Sequence, residues 1–273
     1  DFIPEFAVPL PVTVIADILG VDREDIWRFK KWGDLMISGN IDMLSHARRR
    51  DVAHAVVELH EYFVPRIEER RRHPTDDLLS IMVNTEVDGE PPLTTEELLP
   101  IIDQILLAGH ETTTNLIGNV MLVLLSDNTL MTRLRTNPTD IPAMVEEALR
   151  WDPPIQCTYR RVTRDDDLEG IGVKKGDMVI PMWAGANWDP SVFLNPEQFN
   201  IDRPMTKPHM GFGFGPHFCA GAELARIEAR IAFEELLSRL GSITLDERAS
   251  DLTHLPSFAS HGYQKVGLQF EAL

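Results

Sequence analysis

The chain has 273 residues, 43% of them hydrophobic, and its 26 basic against 43 acidic side chains leave a formal charge of −17. That length holds a large core, as one extended domain or two smaller ones. The charge argues against nucleic acid as the main partner, because the phosphate backbone would repel it.

No run of about 20 apolar residues promises a membrane span. The opening DFIPEFAVPLPVTVIADILGV is interrupted by prolines and Asp17, so it does not read as a secretory segment. Cys157 and Cys219 are the only cysteines and form no CxxC pair. They build no disulfide framework or zinc site, and a reducing cytoplasm is the expected compartment. The chain opens on Asp1 rather than Met, which processing or missing upstream sequence would explain.

Helical patterns dominate to about residue 150. Residues 11–38 carry Val14, Ile15, Ile18, Leu19, Ile26, Trp27 and Phe29 at three- and four-residue spacing. A second pattern runs from His46 to the basic end Arg70-Arg71-Arg72, expected to be solvated and favoured by the helix dipole. Residues 93–127 read as one long, buried helix, with Thr94 and Glu97 at capping-box spacing and Ser126-Asp127-Asn128 as the stop. After 151, RVTRDDDLEGIGVKKGDMVI predicts short strands and a hairpin broken by Gly170, Gly172 and Gly176. A helix is expected from Ala220 with Leu224, Ile227 and Ile231 on its apolar face, and the tail 254–270 alternates like a final strand pair. With no repeat and no linker, the expectation is a single mainly helical domain over 1–273 with a small β part.

Three places carry chemistry. In Ala108-Gly109-His110-Glu111-Thr112-Thr113-Thr114, glycine and β-branched residues sit at a helix centre, where glycine costs ~1 kcal/mol against alanine. Either a ligand approaches the backbone at Gly109, with Thr112 and Glu111 as polar groups in an apolar wall, or a neighbouring helix packs into the groove. Glu147 and Arg150, three apart, face one another on a helix that Pro153 and Pro154 end. Most such pairs are weak surface ion pairs. A buried, bidentate Arg150 would instead fasten the helix to the loop containing Arg203. In FGFGPHFCAGAEL, residues 212–224, glycines bend the chain around Cys219 just before a helix whose N-terminal dipole favours a thiolate. The rivals for Cys219 are an inert buried thiol and a nucleophile with His217 as its base, the latter disfavoured by their two-residue separation.

Together these segments resemble cytochrome P450. Phe212, Gly213, Gly215, His217, Cys219 and Gly221 match the family's haem-binding pattern F-G-x-G-x-H-x-C-x-G. Residues 108–113 match A-G-x-E-T-T, and Glu147 with Arg150 matches E-x-x-R. All occur in family order over more than a hundred residues, and the absence of a signal or span is similar to the bacterial members.

The resemblance implies a mainly α fold with a small β part, haem b as cofactor and Cys219 as its axial thiolate. It implies that Ala108 and Gly109 lie over the distal haem face, that Arg160 and His217 pair with the propionates, and that Phe212 lies near the sulfur. Glu111 and Thr112 would organise proton delivery to dioxygen, and Glu147, Arg150 and Arg203 would form a structural triad. Gln104, Leu107, Ile155, Gln156 and Phe258 would line the pocket for an apolar small molecule, with two electrons from a ferredoxin- or flavodoxin-like donor.

Residues 1–20 resemble a segment well inside a full member, so about the first third of the family pattern is missing. The expectation is a fold incomplete at its N-terminal side and a chain that alone holds haem poorly. Against the monooxygenase stand a non-catalytic haem-binding or sensing module, an inactive fragment and a cysteine-nucleophile hydrolase.

Overall fold

The structure is a computed structural model describing residues 1–36 and 45–273. These residues divide into two compact units, Val8–Glu111 on the one hand and Asp1–Ala7 with Thr112–Leu273 on the other.

The unit Val8–Glu111 is helical. Helix α1 (Pro9–Ile18) starts on proline, whose missing N–H is no loss in a first turn. It is followed by Gly20 at φ +69°, a left-handed turn that glycine adopts freely. Helix α2 (Ile26–Met36) follows a short 3₁₀ turn, so the apolar pattern over 11–38 is two helices, and residues 37 and 38 lie outside the described ones. Ser45 caps α3 (His46–Arg72), Asp77 caps α4 (Leu78–Asn84), and Thr94 with Glu97 forms the full capping box of α5 (Thr95–Gly109). The core joins Phe29 and Trp32 of α2, Leu59, Phe63 and Ile67 of α3, and Ile102 and Leu106 of α5. Trp32 meets Tyr62 edge-on at 5.5 Å.

The arginine run is not a solvated end. Arg70 holds Asp77 at 2.7 Å, and Arg71 donates to the carbonyls of Val83 and Leu93, tying α4 and the following loop back to α3. Only Arg72 remains at the surface, bonded to the Glu68 carbonyl of its own helix.

The long helix expected over 93–127 is two. It breaks at His110, whose φ of −106° and ψ of −47° separate α5 from α6 (Glu111–Ser126). The His110 ring replaces part of the lost ladder, since Nδ1 lies 2.8 Å from the Leu106 carbonyl. A carbonyl only accepts, so Nδ1 carries the hydrogen. α6 is buried along Thr113–Met121, whereas α5 exposes Gln104 and Ala108. A methyl group on Gly109 would lie 2.6 Å from Ile15 Cδ1, so this glycine makes room for α1, and helix packing accounts for it.

In the other unit, α6 runs with α7 (Asn128–Thr136), α8 (Ile141–Trp151), α9 (Trp183–Asn187) and α10 (Ala222–Arg239). Three buried polar residues of α6 tie it to other segments, although Asn119 Oδ1 finds no partner among the described residues. Thr114 donates to the Ala7 carbonyl at 3.1 Å, Asn115 to Ser260 at 3.1 Å and Asn119 to the His261 carbonyl at 3.4 Å. The α10 face differs from expectation. Ala229, Ala232, Phe233, Leu236 and Leu237 turn inward, while Ile227 and Ile231 are exposed.

Four two-stranded sheets complete this unit. β1 (Arg160–Arg161) pairs with β4 (Met178–Val179), and β2 (Asp166–Leu168) forms a hairpin with β3 (Ile171–Val173) across Glu169-Gly170. β5 (Leu240–Leu245) pairs with β8 (Leu268–Ala272), and β6 (Asp251–His254) with β7 (Tyr263–Lys265). The tail strands β7 and β8 therefore take separate partners rather than each other. Among the described residues no helix is long and apolar enough to cross a membrane.

Two predictions follow from this packing. Gly109→Ala should destabilise the chain by roughly 1–3 kcal/mol through overpacking, and adding Ile15→Val should recover part of the loss in chemical denaturation. The second concerns Glu228, buried on α10 beside the Thr113 hydroxyl with no bond to its Oε1 among the described residues. Burial raises its carboxyl from 4.5 to about 7, so between those values the folded chain holds a proton that the unfolded chain has lost. Stability at this group is therefore lost as pH rises through that window. Glu228→Gln should match wild type below it and exceed wild type above it by on the order of 2 kcal/mol, read from urea midpoints across pH.

Candidate functional site

The centre of the site is built on α8. Two turns of this helix carry Glu146, Glu147 and Arg150, and Glu147 and Arg150 are completely buried. A buried ion pair is tolerable only when its remaining donors and acceptors are satisfied, and here they are. Arg150 Nε and Nη2 donate to the two Glu147 oxygens at 2.8 and 2.7 Å. Its other N–H groups go to the carbonyls of Asn187, Pro196 and Gln198 at 3.1, 2.8 and 3.1 Å. Arg203 Nε sits 3.2 Å from both Glu147 oxygens, and the Asn200 N–H donates to Glu147 Oε1 at 2.9 Å. Arg203 also binds the carbonyls of Leu194, Asn195 and Gln198. The structure thus brings Glu147, Arg150 and Arg203 together, and the irregular segment 187–203 is held by its carbonyls rather than by secondary structure.

That segment feeds the cysteine loop. Asn187, fully buried, accepts the Met210 N–H at 2.6 Å and donates to the Leu149 carbonyl at 3.3 Å. A Cβ on Gly211 would lie 2.5 Å from the Leu149 carbonyl oxygen, so the chain passes α8 where only glycine fits. Gly213 and Gly215, at φ +71° and +76°, supply the left-handed turns that fold the loop. The Cys219 N–H then donates to the Phe212 carbonyl at 3.0 Å.

Cys219 is exposed, as are Phe214, His217 and Phe218 around it. Its thiol is nevertheless pushed up, because the loop partly desolvates the sulfur. The Gly221 N–H and the Arg226 charge oppose that effect. Helix α10 starts at Ala222 rather than Ala220, and the thiolate-favouring influences present at the loop are these two rather than the helix end alone. Cys157, in contrast, is buried in the segment after α8.

The donor set fits haem b. One free sulfur is presented by a glycine-folded loop that also carries exposed aromatic residues. Coordination to a metal deprotonates such a thiol outright. His217 and Arg160 are both exposed, as partners of carboxylates would be, and among the described residues Arg160 bonds to Thr158 and the Tyr159 carbonyl.

The remaining expected residues are scattered among several elements. Gln104, Leu107, Ala108 and Gly109 lie on α5, with Leu107 half-buried. Glu111 and Thr112 open α6, half-buried, and both have interaction partners. Ile155 bridges Ser260, and the Gln156 N–H donates to the Ala259 carbonyl at 2.8 Å, so the segments containing Ile155, Gln156 and exposed Phe258 run side by side. The Gln156 side chain is turned to Asp152 and the Pro153 carbonyl.

Sequence reasoning missed Glu146, Asn187, His209 and Arg226. Glu146 Oε1 accepts from Arg226 Nε at 2.6 Å, and Oε2 accepts from His209 Nε2 at 3.1 Å. Burial alone would raise this carboxyl, but those two partners outweigh it and hold the group at about 2. The available signal was the doubled Glu146-Glu147. Adjacent helical residues point about 100° apart, so a half-buried and a buried acid in succession serve two different neighbours.

The comparisons agree with this geometry. Residues 28–261 match the model of the family described as Cytochrome P450. Cytochrome P450 109 of Bacillus spizizenii is 41% identical over 272 residues, covering 97% of this chain and 66% of that protein. The biotin biosynthesis cytochrome P450 of Bacillus subtilis is 36% identical, covering 99% of this chain and 67% of that one. The crystal structure of CYP109E1 from Bacillus megaterium in complex with testosterone superposes with a TM-score of 0.90 at 37% identity, covering 98% of this chain and 72% of that one. This chain thus spans about two thirds of its curated relatives' length, and over that span its triad, its cysteine loop and its backbone course make it a member of the cytochrome P450 family, whose cofactor is haem b.

Proposed function

We propose that this chain is part of a haem-thiolate monooxygenase that inserts one atom of dioxygen into an apolar small molecule. The observation that supports it most is the exposed Cys219 sulfur, presented by a loop whose backbone is bonded to a fully buried scaffold. Residues 1–273 would act as one haem-binding domain. Bound through its iron to Cys219, haem b would supply dioxygen activation, one oxygen atom going to the substrate and the other, with two electrons and two protons, to water.

The chain's own residues take the remaining tasks. Arg160 and His217 bind the cofactor's carboxylates, and Phe212, Gly213 and Gly221 shape the loop around the sulfur. Ala108 and Gly109 would back the oxygen side, with the space beside Gly109 filled by Ile15. The Glu111 carboxyl releases a proton, the Thr112 hydroxyl passes it on, and solvent re-protonates Glu111. Glu147, Arg150 and Arg203 keep the loop's support rigid. Gln104, Leu107, Ile155, Gln156 and Phe258 contact the substrate.

An apolar substrate is supported by the relatives' ligands. These are testosterone and corticosterone for CYP109E1, and hexadec-9Z-enoic acid carried on acyl carrier protein for P450BioI. The electrons come from a ferredoxin- or flavodoxin-like donor. Two free thiols and no disulfide favour the cytoplasm.

The ferrous carbon monoxide spectrum tests the reading. A strongly red-shifted Soret band is expected for wild type, and Cys219→Ser should abolish it; a band that survives would refute the ligand assignment. Thr112→Ala should keep the band but send roughly tenfold more of the consumed electrons into peroxide than into product. Coupling unchanged from wild type would remove Thr112 from the proton path. A normal band without turnover, given substrate and donor, would favour the sensing module.

A further inference from the structure

The charged cluster beside the cysteine loop is not part of the triad. Glu146 on α8 receives Arg226 Nε at 2.6 Å and Nη2 at 3.2 Å, a two-point hold that fixes the plane of the guanidinium. Glu223 adds a surface bond at 2.8 Å. The oriented guanidinium lies over the Phe212 ring, 4.7 Å from its centre. The same ring meets His209 at 5.8 Å and Phe218 at 6.3 Å between ring centres.

His209 completes the arrangement. It is buried, and its Nδ1 accepts the Gly211 N–H at 3.1 Å, so its hydrogen sits on Nε2 and donates to Glu146 Oε2 at 3.1 Å. One carboxylate therefore anchors two groups that grip the loop, Arg226 at the face of Phe212 and His209 at the amide of Gly211. Phe212 in turn supplies the carbonyl that accepts the Cys219 N–H at 3.0 Å.

We propose that Arg226, oriented by Glu146, is a positioning residue for Cys219: it holds the loop through Phe212, whose carbonyl accepts the Cys219 N–H. Glu146 and His209 serve it as the anchor. That the held sulfur is a ligand rests on the haem-thiolate reading, whereas the hold on the loop stands independently of it.

Hydrogen exchange of the haem-free 273-residue chain, followed in peptides covering 209–221, tests it. Arg226→Met and Glu146→Gln should speed exchange there roughly tenfold, with peptides of α6 and of the β5–β8 pair unchanged. Arg226→Lys keeps the charge but loses the two-point hold, and should recover part of the protection. Loop exchange equal to wild type in both Arg226→Met and Glu146→Gln would overturn the proposal. So would acceleration spread evenly over all peptides, which would reveal only a stability defect.

Because the exchange is read without haem, its outcome decides whether the clamp positions the loop, separately from the haem-thiolate reading, which the carbon monoxide spectrum tests.

Discussion

The buried carboxylate of Glu147 is the interaction on which the rest of the larger unit depends. It receives Arg150 from its own helix, and Arg203 and the Asn200 amide from segment 187–203. Removing one partner from such a cluster leaves a buried charge uncompensated, a loss of roughly 3–5 kcal/mol. The return for the desolvated charges is conformational definition. Segment 187–203 has almost no regular structure, yet five of its carbonyls, those of Asn187, Leu194, Asn195, Pro196 and Gln198, end on Arg150 or Arg203. A loop without a ladder is thereby given fixed backbone partners.

The same helix distributes three loops. Glu147 faces segment 187–203. Glu146, about 100° round the helix, faces the cysteine loop and α10. Asp152, at the end of α8, accepts His261 at 2.6 Å from the chain between β6 and β7. Below them the Leu149 carbonyl touches the Cα of Gly211 too closely for any side chain. Rigid placement of a thiol on an exposed loop therefore needs no rigidity in the loop itself. It needs a buried helix whose polar groups point outward in several directions, each to one partner.

How much of this was legible in the sequence depends on how local the cause is. Helix caps and the Glu169-Gly170 hairpin were readable, because the residues involved lie within four positions of one another. The Glu147–Arg150 pair and the glycine turns before Cys219 were readable because the residues involved lie close together in the chain. The His110 break was not, since its compensating bond is a ring reaching back to Leu106. Arg70 and Arg71 look like a solvated end until the partners 7 to 22 residues away are known. Ile227 and Ile231 obey the apolar period and still face outward, because which stripe of α10 is covered is decided by α7, α8 and β5 rather than by α10. Glu146 meets Arg226 across 80 residues, and no local pattern announces that distance.

The stretch Gly109-His110-Glu111-Thr112-Thr113-Thr114-Asn115 shows why such a motif resists a single explanation. Gly109 is small because Ile15 occupies the space its methyl would need. His110 seals the helix break. Thr113 meets Glu228, Thr114 holds the Ala7 carbonyl and Asn115 holds Ser260. Each of these polar side chains offsets its burial with a structural bond, so the polarity of the stretch is mostly architectural. Glu111 and Thr112 stand apart as the half-buried pair at the start of α6, directly after the irregular residue. A first helical turn leaves its N–H groups without intrahelical acceptors, and there a carboxylate is favoured and a hydroxyl can exchange partners. The chemistry proposed for the motif is thereby confined to two residues, and the break before them is fixed by the packing of their neighbours.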